Sequence, residues 1–171
     1  MSFYFLLSIL ALQRLGELRV GNDNLEQGRK RLVSPPDEGE ARRMMILHSA
    51  WFVACAAEFT LAGSLVPAPW FLAGIAILAG CQFVRHQSMH LLGKQWVHLP
   101  VAFHGQKIVK EGIYRITRHP NYLAVVIEIA VVPLLGRANF TAILFSAANG
   151  IFLWQRIKAE ETQLKLARRS S

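Results

Sequence analysis

Tyr114, His119, Pro120, Asn121 and Tyr122 fall in one short run, and Arg156 and Glu160 stand four residues apart farther along the chain. Pro120 lacks a backbone donor and suits a first helical turn, so a helix is expected to begin at His119-Pro120. The amides and dipole at such a start favour an anionic group. His119 and Tyr122, three apart, project from a similar face of that turn. Arg156 and Glu160 also share a face, but Arg before Glu is the less favourable order for an ion pair; Glu161 with Lys165 has the better one. Arg156 and Glu160 can therefore offer one charge of each sign to a bound molecule. The same residues also suit a Pro-initiated helix with an interfacial His and Tyr beside an ordinary surface pair, and spacing alone leaves both readings open.

The elements that must position these residues are apolar. Of 171 residues, 53% are hydrophobic and 18% charged, more apolar material than a soluble core of this size requires. It lies in blocks: Phe3 to Leu18, Met44 to Val66, Trp70 to Val84, Tyr122 to Leu135 and Phe140 to Trp154. Each has the composition of a membrane helix, although three are nearer about 15 than about 20 residues and imply tilted or partly interfacial spans. Basic residues crowd the first and third connections and the segment after the last block, while Val66-Pro67 has none and Gly136-Arg137 one. The positive-inside rule then gives about five transmembrane helices, with the N-terminus outside and the C-terminus cytoplasmic.

The expected organisation is one all-α integral membrane domain over 1–171: three spans in 1–84, a cytoplasmic connector in 85–119, a helical hairpin in 120–155 and a cytoplasmic tail in 156–171. Trp96, His98, Phe103 and His104 give the connector the character of a lid or membrane-surface segment. The first span lacks a basic leader and a small-residue cleavage site, so it reads as retained. No CaaX box ends the chain, which is therefore not expected to be prenylated itself. The net charge of +8 is spread over juxtamembrane loops without a nucleic-acid motif, so membrane lipids are the expected partner and nucleic acid is not. Cys55 and Cys81 lack CxxC spacing and neighbouring ligands, and no metal site is expected. Arg14, Glu17, Glu58 and Glu128 are costly in lipid and should face the bundle interior or a wet cavity.

Gly112-x-Tyr114 with Arg118-His119-Pro120-Asn121-Tyr122, a membrane hairpin, and Arg156-x-x-x-Glu160-Glu161 together resemble the cofactor half of the isoprenylcysteine carboxyl methyltransferase family. The resemblance implies S-adenosylmethionine in a cytoplasm-facing cavity, held by Tyr114, His119, Pro120, Asn121, Tyr122 and Glu160, with backbone contacts from Gln106, Lys107, Ile108 and Val109. It implies that Arg156 is the catalytic, substrate-side residue. Gln13 to Leu18, His48 and Leu92-Gly93 are similar to a bacterial branch, some members of which O-methylate alkylpyrone or alkylresorcinol lipids. That likeness implies a protein of a bacterial cell membrane, acting on a lipophilic acceptor such as a prenylcysteine carboxylate, an alkylpyrone or a phenolic lipid.

Methyl transfer from a sulfonium is an in-line displacement that depends on positioning. Glu160 suits the cofactor's ammonium, the helix start its carboxylate, and Tyr114 or Tyr122 its cationic part. Arg156 is then free to orient an anionic acceptor oxygen. Glu128, seven residues after Asn121 and on the same face, is a candidate acceptor-side residue. The competing expectations are an NADPH-using membrane oxidoreductase of the sterol-reductase type and a non-catalytic membrane binding protein.

Overall fold

A computed structural model describes residues 3–169; the outermost positions of the expected first and last segments, 1–2 and 170–171, lie outside the described residues. Among the described residues, five α-helices carry the fold: α1 Phe3–Gly28, α2 Glu38–Ala62, α3 Ala68–Leu92, α4 Pro120–Leu135 and α5 Asn139–Arg169. The all-α expectation agrees with this, but the apolar runs understate three of the helices. α1 continues past Leu18, α3 past Val84 and α5 past Trp154, because their polar extensions contain no proline to stop them. α3 ends only at Gly93, whose φ of 50° leaves the helical region. The connector, irregular apart from 3-10 turns at Gly93–Gln95 and Gly112–Arg115, therefore starts at about Gly93, not at Arg85, and the expected tail is helical through Arg169.

Glu38–Ala62 and Ala68–Gln95 are long and apolar enough to cross a membrane. α4 is apolar but has 16 residues, about 24 Å of helix against a hydrocarbon core of about 30 Å. It packs against α3 and α5, and α5 in turn against α2. Phe3, Leu6, Leu7 and Leu10 of α1 join Trp51, Cys55 and Leu78 around Val125, Ile129, Val132 and Leu135 of α4 in the main core. Gly74 lets α3 approach closely, since a Cβ there would lie 2.4 Å from Leu135, whereas Gly80 has nothing within 4 Å.

Two polar contacts from α2 complete its neighbours. Pro133 has no N–H for the carbonyl of Ile129 one turn earlier, and a buried, unpaired carbonyl is costly. The Trp51 indole N–H donates to that oxygen at 3.2 Å. The Glu58 carboxylate accepts from the Phe140 and Thr141 amides at 3.0 and 2.8 Å, capping the exposed donors at the start of α5. A glutamate of an apolar helix thus serves as a helix cap supplied to another helix.

The connector is pinned to the end of α1. Val33 N donates to Ala102 O at 2.9 Å and His104 N to Arg31 O at 2.7 Å, around an antiparallel bridge between Leu32 and Phe103. Val101, Ala102 and Phe103 are buried by this pairing. Trp51→Phe should cost about 1–3 kcal/mol by stranding the Ile129 carbonyl. Thermal unfolding in detergent should find part of that loss restored in Trp51→Phe/Pro133→Ala, where residue 133 regains its N–H; no recovery would contradict the assigned pairing.

Candidate active site

Pro120 opens α4, and His119 before it takes φ −129° and ψ 60°, since a residue preceding proline is pushed out of the helical region. This turn lies beside the far end of α5 because the tight α4–α5 connection folds the two helices into a hairpin; Arg137 turns it at φ 54°. The His119 and Tyr122 rings stack, 5.4 Å between centroids and 13° between planes. Tyr122 donates its hydroxyl to Glu160 Oε2 at 2.6 Å and accepts from Arg156 Nε at 3.2 Å. His119 Nδ1 is 3.7 Å from Glu160 and its Nε2 3.8 Å from Glu161, near enough to interact electrostatically but too far for hydrogen bonds. Tyr122 is therefore a bridge between the two charges that the spacing of α5 presents.

Arg156 has a partner on every nitrogen. Besides Tyr122, Nη1 donates to Glu40 Oε1 at 3.2 Å and Nη2 to the His98 carbonyl. Its guanidinium thus joins α2, the connector, α4 and α5 at a position only 8% exposed. Burial and the Arg156 charge both hold the His98 imidazole below its ordinary pKa. Tyr114 reaches the same region from the connector, in hydrogen-bonding contact with Ser88 of α3; burial pushes its phenol up to about 12, so it stays protonated at physiological pH.

A second polar cluster supports the start of α4 from inside the bundle. Arg85 Nη1 donates to Asn121 Oδ1 at 2.9 Å and to Glu17 Oε2 at 3.1 Å, and its Nη2 to Glu128 Oε2 at 2.8 Å. Arg14 pairs with Glu17 at 2.8 Å and with Glu128, while Gln82 donates to Glu128 Oε1 at 2.9 Å. Two cations thus face two anions, and both Glu128 oxygens are occupied.

Of the residues singled out from sequence, the structure brings together Tyr114, His119, Tyr122, Arg156 and Glu160. Pro120 is buried beneath them as the first helical residue. Asn121 is directed to Arg85, which leaves its amide NH2 as the group it can offer. Glu128 lies on the same face as Asn121, as the seven-residue spacing expects, but within the ion cluster and not among the Arg156 contacts. Gln106 folds back, its Oε1 accepting from Phe103 N at 3.0 Å. Gln106 and Lys107 line a pocket of about 210 Å³ with Arg31, Gln95, Phe103 and Gly105; Ile108 is exposed and Val109 half-buried.

Sequence reasoning missed Arg85, Glu40, His98 and Ser88. Arg85 reads as a loop cation because it follows an apolar run, yet Gln82 and Ser88 stand three residues to either side on one helix face. Glu40 follows Asp37 at capping-box spacing, which gives it a local explanation and hides its contact with Arg156.

The donor set fits S-adenosylmethionine. Glu160 is a partly open carboxylate for an ammonium, with Oε1 free of protein partners among the described residues; the α4 start suits a carboxylate; and the stacked His119 and Tyr122 rings stand at that start. A model of the isoprenylcysteine carboxyl methyltransferase (ICMT) family matches residues 72–166. The chain is also similar to the uncharacterized protein YpbQ of Bacillus subtilis (strain 168), 32% identical over 163 residues, which cover 95% of this chain and 96% of that protein. No solved structure matches. A double-mutant cycle with Tyr122→Phe and Glu160→Gln, read by thermal unfolding, should give a coupling of about 0.5–3 kcal/mol. Additive costs would mean that the bridge is not formed.

Proposed function

The chain belongs to the isoprenylcysteine carboxyl methyltransferase family, and from that premise we propose that it is a membrane methyltransferase moving a methyl group from S-adenosylmethionine to an oxygen of a lipophilic acceptor. The observation that carries this reading is the Tyr122 bridge between Arg156 and Glu160 beside the start of α4. It supplies an anionic and a cationic group within one shared hydrogen-bond system, on two helices that the family match covers.

When bound, the cofactor supplies an electrophilic methyl group on a sulfonium. Glu160 Oε1 would take the ammonium, and the first turn of α4 with the amide of Asn121 would take the carboxylate. Tyr114, His119 and Tyr122 would flank the cationic centre, with Gln106, Lys107, Ile108 and Val109 contributing backbone contacts. Arg156 fixes the acceptor side, since Glu40, His98 and Tyr122 set its orientation. Glu128 is buried deeper, and its proposed effect on the acceptor runs through Arg85 and the α4 face.

Five spans, a cytoplasmic C-terminus and a cytoplasm-facing cofactor site complete the proposal. The α1 and α5 helices are long enough to add crossings to those of α2 and α3. Alkylpyrone, phenolic lipid and prenylcysteine carboxylate are the acceptor classes considered, all delivered from the bilayer.

Calorimetry of purified protein in detergent should detect S-adenosylmethionine, which NADPH does not displace. Glu160→Ala and His119→Ala should each weaken it at least about tenfold, equivalent to about 1.4 kcal/mol, with folding checked by circular dichroism. Wild-type protein that binds no S-adenosylmethionine would overturn the proposal.

A further inference from the structure

Glu40 is absent from both motifs, yet it touches the residue on which the acceptor side depends. It stands three residues after Asp37, the N-cap of α2, whose side chain accepts from Glu40 N at 3.0 Å. At that position a glutamate ordinarily turns back to the cap residue's own amide. Here Oε1 instead accepts from Arg156 Nη1 at 3.2 Å, and Oε2 is buried with no hydrogen-bond partner among the described residues. A buried carboxylate oxygen without a donor is costly. An acceptor hydroxyl placed against Arg156 would supply the missing donor.

We infer that Glu40 is a further catalytic residue, with Oε2 receiving the proton of a hydroxyl-bearing acceptor lipid. This rests on the reading of the site given above. As the acceptor oxygen bonds to the methyl carbon, the carbon–sulfur bond breaks and its electron pair stays on sulfur as a neutral thioether. The hydroxyl proton passes to Oε2, so a sulfonium and a carboxylate become a thioether and a carboxylic acid, and charge balances. Arg156 stabilises the oxygen while negative charge develops on it.

The same geometry disfavours a carboxylate acceptor. Such a group brings no proton for Oε2, and it places a second negative charge beside a guanidinium that Glu40 already neutralises. The charged groups acting on Glu40 are Arg156 from α5 and Asp37 and Arg43 at its own end of α2. Among the described residues, Tyr122 and His98 are linked to it through Arg156.

The test uses purified full-length protein, S-adenosylmethionine and a synthetic long-chain alkylresorcinol. Glu40→Gln keeps an acceptor for Arg156 but removes the base. It should bind the cofactor as the wild type does, lose about 100-fold or more in kcat, and lack the fall in kcat at acid pH that a Glu40 base would give the wild type. Glu40→Asp should recover part of the rate. An alkyl nitrophenol bound with S-adenosylhomocysteine, which has no methyl to give, provides a readout apart from turnover. Its bound form should ionise at lower pH in Glu40→Gln than in the wild type, because a facing carboxylate opposes the phenolate.

A Glu40→Gln rate within about tenfold of wild type, below the range for general-base catalysis, with the pH profile and probe ionisation unchanged, would overturn the assignment. Loss of S-adenosylmethionine binding by the wild type would remove instead the reading on which it rests.

Discussion

The pairing of Arg14 and Arg85 with Glu17 and Glu128 is the constraint on which the site depends. Charges withdrawn from water hold together only when they are balanced and hydrogen-bonded, and here each guanidinium touches both carboxylates. α1, α3 and α4 contribute to this one cluster. A shift of α3 along α4 would break two Arg85 contacts at once, so the cluster fixes their register more sharply than apolar packing does. Arg85 also holds Asn121, and Asn121 belongs to the turn that presents His119 and Tyr122. Buried electrostatics thereby set the position of groups at the edge of the bundle.

α2 performs the corresponding task from the other side. Glu40, Trp51 and Glu58 are separated by eleven and seven residues, three and two turns of helix, so they lie along one stripe. Each answers a different polar need of α4 or α5: a guanidinium, a carbonyl orphaned by proline and a helix start. Where water is scarce, these needs must be met within the protein. One face of one helix meets all three, which couples the position of α5 to that of α4 beyond the short turn that joins them.

Much of the site was legible because its residues are close in sequence within each half. Pro120 marks a helix start, and Arg156 with Glu160 declares a helix face, so their types and spacing already describe two half-sites. The hairpin needed to join them was implied by the short connection near Gly136. What could not be read were contacts set by tertiary register. Arg85 belongs by composition to a loop and by structure to the core, because α3 runs on past Val84. Glu58 looked like a charge in search of a cavity until α5 began beside it. Gln106 to Val109, inferred from resemblance, lack the periodicity that fixes a side-chain direction, and the pocket that Gln106 and Lys107 line depends on how the connector pairs with Arg31 to Val33.

The arrangement also explains how the polar side chains of the proposed site can be aligned before any ligand arrives. Each polar group near Arg156 is oriented by another: Tyr122 by Glu160, Arg156 by Tyr122, Glu40 and His98, and His119 by stacking on Tyr122. Groups fixed in this way need little reorganisation when charge moves during reaction. The orientation does not exhaust their binding capacity, since Glu160 uses one oxygen for Tyr122 and Glu40 one for Arg156. A methyl transfer that neutralises one positive and one negative charge requires both signs to be held close without collapsing onto each other. Tyr122, neutral and placed between Arg156 and Glu160, keeps those two charges apart while linking them.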